Sequence, residues 1–214
     1  MVDIQNIRLN KIEVKLADTD DPVASKTSWE PLKAGGSNFK SQKMSVYRDK
    51  IVVDKSAATI FFCLIFILAG IFVVMLYANL GFENLGVNND VINNPLVLLV
   101  GLVFAGAGFF ALISYKKMTF EKLSGSYYRG KNLKQFDRST NKMNQGMLSD
   151  IHAIQLIRER ISSDKSIYTS YEINLVLKNG ERVNVMDHGS WSDIERSAKD
   201  LAGFLGVPIW QAQY

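Results

Sequence analysis

Two long apolar runs without Asp, Glu, Lys or Arg limit what this chain can fold into more than any other feature. The first, residues 57–80, reads AATIFFCLIFILAGIFVVMLYANL, and its only strongly polar side chain, Asn79, lies at the end. As a helix rising about 1.5 Å per residue it reaches roughly 36 Å, more than the ~30 Å hydrocarbon core of a bilayer. The second, residues 95–115, reads PLVLLVGLVFAGAGFFALISY and is just long enough to span. A buried soluble helix is the plain alternative for one such run, but two runs of this length argue for two transmembrane helices. The first begins more than fifty residues after Met1, so it reads as a span and not as a cleaved leader.

Lys and Arg set the expected orientation. The segment between the runs, GFENLGVNNDVINN at 81–94, has neither, whereas Lys40, Lys43, Arg48, Lys50 and Lys55 precede the first run. Lys116, Lys117, Lys122, Arg129, Lys131, Lys134, Arg138 and Lys142 follow the second. The positive-inside rule then puts both termini in the cytoplasm and the short loop on the other side. Tyr77, Phe82 and Tyr115 fall near the expected interfaces, as belt aromatics do. Gly101, Ala105 and Gly108 share one face of the second helix, where small residues let two backbones approach. Their partner is either the first helix of the same chain or a helix of another protein.

Outside these runs the chain looks soluble. Overall it is 47 % hydrophobic and 21 % charged, ordinary values that hide the split. The polar remainder of about 165 residues is enough for one compact domain with an appended arm. A single cysteine, Cys63, allows no internal disulfide, and inside an apolar helix it acts as a small hydrophobe.

Ser192 with Glu195 three residues on reads as a capping box, followed by Ile194, Ala198, Leu201, Ala202 and Leu205 on one helical face. Gly206 suits a left-handed cap and Pro208 stops the helix. Upstream, Tyr171, Ile173, Leu175 and Leu177 alternate with Glu172, Asn174 and Val176; Asn179-Gly180 signals a type I′ turn, and Val183 and Val185 alternate on the return. Residues 151–161 fit a helix by spacing, but their β-branched content favours a strand. KMSVYRDKIVVD before the first apolar run and MTFEKLSGSYYRG after the second each read as strand, turn, strand. The arrangement is seven strands and one amphipathic helix, with the apolar hairpin inserted after the second strand. Residues 1–36 read as an arm, with Ile7, Leu9, Ile12, Val14 and Leu16 hinting at a strand and AGGS flexible; residues 129–148 read as a basic loop.

Seven strands with a closing helix resemble a pleckstrin-homology (PH) domain, and SYEINLVLKNGERVNVMDHGS with LAGFLGVPIW is similar to the closing section of bacterial PH-like membrane proteins of unknown function. The inserted hairpin is similar in layout to the two-helix photosystem I assembly factors, an architectural likeness only. The resemblance covers about residues 38–210 and implies a membrane hairpin plus an α+β, mainly β, PH-like barrel with a C-terminal capping helix, in a bacterial inner membrane. The expected division is an arm at 1–36, a split cytoplasmic PH-like domain at 37–56 and 116–210, transmembrane helices at 57–80 and 95–115, and a non-cytoplasmic loop at 81–94.

No catalytic set stands out. Asp187-His188 could be half a dyad, but no third ligand has metal spacing, no nucleophile motif accompanies it, and Gly189 suggests a turn. His152 stands alone on a strand. Neither a metal nor a cofactor is expected, and no phosphate-cradling loop is present. Eight Lys or Arg between 116 and 142 stand against Glu121 and Asp137. Lys116, Lys117, Lys122, Arg129, Lys131, Lys134 and Arg138 therefore serve topology and lipid contact, or a specific anionic partner; nucleic acid is not expected. Trp29 anchors the arm either on this domain or on a partner. The leading expectation is a non-enzymatic membrane-anchored module that binds protein as an accessory, assembly or scaffold subunit. Binding of anionic lipid and service as a toxin-neutralising immunity protein are the alternatives, and a homo-oligomer stays open.

Overall fold

The computed structural model describes residues 7–9, 12–16, 21–33, 35–78, 94–130, 144–163 and 166–213. It forms two compact units, Met1–Asp54 with Lys117–Tyr214, and Lys55–Lys116.

The second unit is a pair of helices, α1 (Ala57–Tyr77) and α2 (Pro95–Ser114), each long and apolar enough to cross a membrane. Both start where the sequence supplies a cap. Ser56 Oγ accepts from Thr59 N–H, and Asn94 Oδ1 accepts from Leu96 N–H with Pro95 in the first turn. Lys55 donates to the Leu112 carbonyl at 2.5 Å, placing a cation at the C-terminal end of α2. The helices touch where side chains vanish. A Cβ on Gly70 would sit 2.3 Å from Ala105 N, and one on Gly108 2.7 Å from the Cys63 carbonyl. Gly101 likewise packs on Gly70, Val73 and Val74. Gly101, Ala105 and Gly108 thus face α1 of their own chain. Phe66 stacks on Phe104 across the same interface, at 5.5 Å between centroids. Outward-facing Phe61, Phe62, Leu68, Phe109 and Phe110 are exposed, an apolar surface suited to lipid on helices that close their interior backbone hydrogen bonds within themselves.

The first unit contains two sheets and a helix. One sheet is a five-stranded meander of β3 (Gln42–Val46), β4 (Lys50–Lys55), β5 (Met118–Glu121), β6 (Ser126–Arg129) and β7 (Gln145–Met147). The other has six strands: β1 (Ile7–Leu9), β2 (Ile12–Leu16), β8 (Ile151–Ser163), β9 (Ser166–Leu177), β10 (Arg182–His188) and β11 (Ile209–Gln213). Their order is β1-β2-β11-β8-β9-β10. The helix, α3 (Trp191–Leu205), precedes β11. Ile51, Val53, Met118, Phe120 and Tyr127 from the meander meet Ile154, Leu156, Ile173, Leu175, Val185 and Met186 from the larger sheet. Ile194, Ala198 and Leu201 of α3 close the same core. Burial pushes the Tyr127 phenol up to about 12, so it stays neutral there.

Several expectations change. The expected PH-like barrel is not what the strands form: they make two sheets that are not closed, and eleven strands are described instead of seven. Residues 151–161 are strand, within β8. β7 lies inside the stretch read as a loop; the rest of it, 131–143, lies outside the described residues. α3 begins at Trp191 with Ser190 as its cap, so the Ser192–Glu195 box does not form, and Ser190 Oγ pairs with Ser192 Oγ at 3.2 Å. Gly206 does take the left-handed cap, φ 71, its N–H bonding Ala202 C=O. The β9–β10 connection is longer than a two-residue type I′ turn. Gly180 N–H closes on Leu177 C=O, and Gly180, φ 87, supplies the left-handed residue.

The glycine contacts predict the behaviour of the helix pair. Gly70→Leu should push α1 and α2 apart, seen as a longer distance between spin labels on the two helices. Ala at Gly106, which faces open space, should leave that distance unchanged.

Candidate functional site

On the larger sheet, β9 turns Glu172, Asn174 and Val176 to the face opposite the core, yet they are 5, 0 and 0 % exposed. What covers this face is the chain's own segment 21–33 with Gly35 and Gly36. Its docking begins where Asp21 Oδ2 meets His152 Nε2 at 2.6 Å. Trp29 then sinks into a small apolar cluster with Ala24, Ala153, Ile157, Val176 and Trp210. From there the segment is held through its backbone by side chains of the sheet. Gln155 Nε2 donates to Ser28 C=O, Arg182 to Glu30 C=O, and Leu32 N–H donates to Glu172 Oε2 at 2.9 Å. Gly35 and Gly36 N–H both donate to the Glu159 carboxylate, and Tyr168 Oη donates to Gly36 C=O. Gly35 has φ 77, and a Cβ on Gly36 would lie 2.3 Å from Ser170 Oγ. Gly35 and Gly36 of the stretch expected to be flexible are therefore docked on the sheet, in positions that need glycine.

Beneath the strap the sheet's carboxylates and amides bond to one another, while Asn184 Oδ1 and Trp29 Nε1 are buried without a hydrogen-bond partner. A register shift in β10 between Asn184 and Met186 brings Asn184 and Asp187 to the same face. Asn184 Nδ2 donates to Glu172 Oε1 at 2.7 Å and Asp187 Oδ1 at 2.9 Å. The Asn174 amide, oriented to satisfy the network, donates to Glu172 Oε1 at 3.1 Å. Lys33 reaches Asp187 at 3.2 Å. Burial pushes the Glu172 carboxyl above its usual range, with nearby Asp187 adding to the effect.

Asp187 and His188 do not act as a pair. Asp187 belongs to the strap network, while His188, 1 % exposed, turns toward α3. His188 Nδ1 accepts from Ser190 N–H at 2.8 Å, and its Nε2 has no hydrogen-bond partner. Such a buried unpaired donor costs about 1–3 kcal/mol. Burial pushes its imidazole pKa down. Asp193 lies 3.8 Å from Nε2 and is held below the usual carboxylate range by Lys40, bonded at 3.2 Å. The cavity beside them, about 100 Å³, is lined by Lys40, Gln42, Lys43, Met44, Met186, His188, Asp193, Arg196, Ser197 and Asp200. Among the described residues no group of three His, Cys, Asp or Glu side chains is placed to hold a metal.

The basic candidates separate. Lys116 and Lys117 are exposed, and Lys122 Nζ sits 4.5 Å over the Phe204 ring. The Arg129 guanidinium donates to Asn184 C=O, tying β6 to β10. With Ser41 Oγ donating to Asp187 C=O and Gln42 Oε1 accepting from Asp187 N–H, it covers the outer edge of β10. Lys131, Lys134 and Arg138 lie outside the described residues. A feature not foreseen is the tip formed by the β3–β4 and β5–β6 turns, joined by Lys122 N–H to Asp49 C=O at 2.9 Å. Val46, Tyr47 and Leu123 stand there 53, 54 and 84 % exposed, beside Arg48 and Lys50.

Comparison with known proteins returns no match: no family model, no curated protein and no solved structure aligns significantly with the chain.

Glu172 binds its proton more tightly in the folded chain than in the unfolded one. Its contribution to stability is therefore complete below the ordinary value of 4.5 and declines as pH rises through its higher folded value. The denaturation midpoint of the parent chain, taken relative to Glu172→Gln, should fall with rising pH across that window and then level off. A difference that grows with pH contradicts this assignment.

Proposed function

We propose that this chain is a membrane-anchored binding module, an accessory, assembly or scaffold subunit that docks a protein partner through the two-turn tip. The observation that carries the reading is the exposure of Val46, Tyr47 and Leu123 together on turns that hydrogen-bond to each other. Large apolar side chains exposed on neighbouring turns mark interaction sites, and aromatic residues flanked by bases are the usual anchors of such sites; Phe39 and Ile167 are exposed singly elsewhere on the unit. The tip lies at the ends of β4 and β5 opposite those that lead into α1 and α2. The partner is therefore sought at the tip and not along the helices.

The strand succession, with a closing helix after the last hairpin, supports a PH-like reading of the first unit. The hairpin as membrane anchor and the bases flanking it support a bacterial inner-membrane protein with both termini in the cytoplasm. Exposed Lys116 and Lys117, directly after α2, favour anionic-lipid contact as a second reading.

Photoreactive residues in place of Tyr47 or Leu123, in native membranes, should each yield the same discrete protein adduct, and one at Lys199, on the exposed face of α3, should not. Because Tyr47 and Leu123 are exposed, their replacement should change stability by no more than about 0.5 kcal/mol. Adducts to lipid alone would favour the second reading, and no adduct at either position would contradict the first.

A further inference from the structure

A second site sits away from the tip, where the start of β3, the end of β10 and one side of α3 enclose the cavity around His188. We propose that this cavity binds a small oxyanion, a carboxylate or phosphate, with the His188 Nε2–H as its innermost donor.

The ring's protonation pattern decides what it can recognise. Nδ1 accepts the Ser190 N–H, so in the neutral imidazole the proton rides on Nε2. Nε2 thus carries a hydrogen, not a lone pair, and selects an acceptor. The nearest acceptor, Asp193 Oδ2, is too far at 3.8 Å and is already bonded by Lys40; Arg196 stands 3.7 Å from its other oxygen. The donor is 99 % buried and has no hydrogen-bond partner, and its residue lines a space of about 100 Å³. Liquid water occupies about 30 Å³ per molecule, so the space accepts a group of a few heavy atoms.

Charge points the same way. Lys40, Lys43 and Arg196 line the cavity against Asp193 and Asp200, a surplus of one positive charge that a monoanion neutralises. Met44 and Met186 supply an apolar wall that can take a short stem behind the anionic group. Three separate segments build the site: the Lys40–Met44 stretch, the β10 end, and α3 positions Asp193, Arg196, Ser197 and Asp200, spaced three, four and seven apart on one helical face.

The chain has two histidines, so ring-¹⁵N labelling of the full-length protein in nanodiscs gives His188 and an internal reference, His152. Inorganic phosphate and acetate are titrated separately at constant ionic strength. The proposal expects a saturable shift of the His188 ring signals with at least one anion while His152 stays in place. It also expects an affinity about tenfold weaker in Lys43→Ala and in Arg196→Ala. Both replaced side chains are exposed, so these variants keep the fold. Response to phosphate alone assigns a phosphate ligand, to acetate alone a carboxylate, and to both the shared class. A His188 signal that never moves, that moves only in step with His152, or that keeps its affinity in both variants overturns the proposal.

Discussion

The pairing of β4 with β5 governs the rest of the molecule. Ile51, Val52 and Val53 of one strand lie opposite Phe120, Thr119 and Met118 of the other, and the entire apolar hairpin is inserted between them. Paired strands lie about 4.8 Å apart, so the chain must leave the sheet and come back to it within one strand spacing. This fixes the hairpin as an excursion from one folded unit. An excursion of this kind can cross a membrane only an even number of times, and α1 and α2, both long and apolar enough to cross, pack closely through Gly70, Gly101 and Gly108. The core that holds β4 and β5 in place is shared with β8, β9, β10 and α3, so packing far along the sequence secures the point of insertion.

The larger sheet is organised by a different rule. Its outer face is polar, yet it is buried under residues 21–33, Gly35 and Gly36, which contribute mainly backbone groups to the sheet's side chains, with Asp21, Trp29 and Lys33 adding side-chain contacts. Burying Glu172, Asn174 and Gln155 without partners would be strongly unfavourable; the strap makes that burial tolerable. The sheet's exposed margins are managed similarly. Arg129, Ser41 and Gln42 cap the outer edge of β10, and β11 followed by β2 extends the sheet beyond β8. Backbone groups of Asn184 and Asp187 that could template a foreign strand on the β10 edge are thereby occupied.

What could be read in the sequence was local. Uncharged runs gave the helices because length and polarity are decided within the segment. The alternation from Tyr171 to Leu177 gave β9, and Gly206 before Pro208 gave the end of α3. What escaped was non-local. β11 is five residues without strong alternation, and its parallel partner Ile154 is more than fifty residues away. Trp29 could not be assigned to this domain or to a partner, because its pocket comes from β8, β9 and β11. Asp187-His188 read as a turn and not a dyad, but adjacency in sequence does not reveal that one side chain serves the strap and the other turns toward α3. A signal for the strap was present: Glu172 and Asn174, on alternate positions of a strand with β-branched and aromatic neighbours, mark a face that is polar but need not be wet.

The central claim, that 57–77 and 95–114 form one membrane-crossing hairpin returning to the same folded unit, is tested most directly by cysteine accessibility. With Cys63 replaced by Ala, single cysteines at Asn88 and Leu123 are probed in sealed inverted inner-membrane vesicles with a membrane-impermeant maleimide. The account predicts labelling at 123 in intact vesicles and at 88 only after the membrane is opened. Equal labelling of both positions in intact vesicles would contradict it.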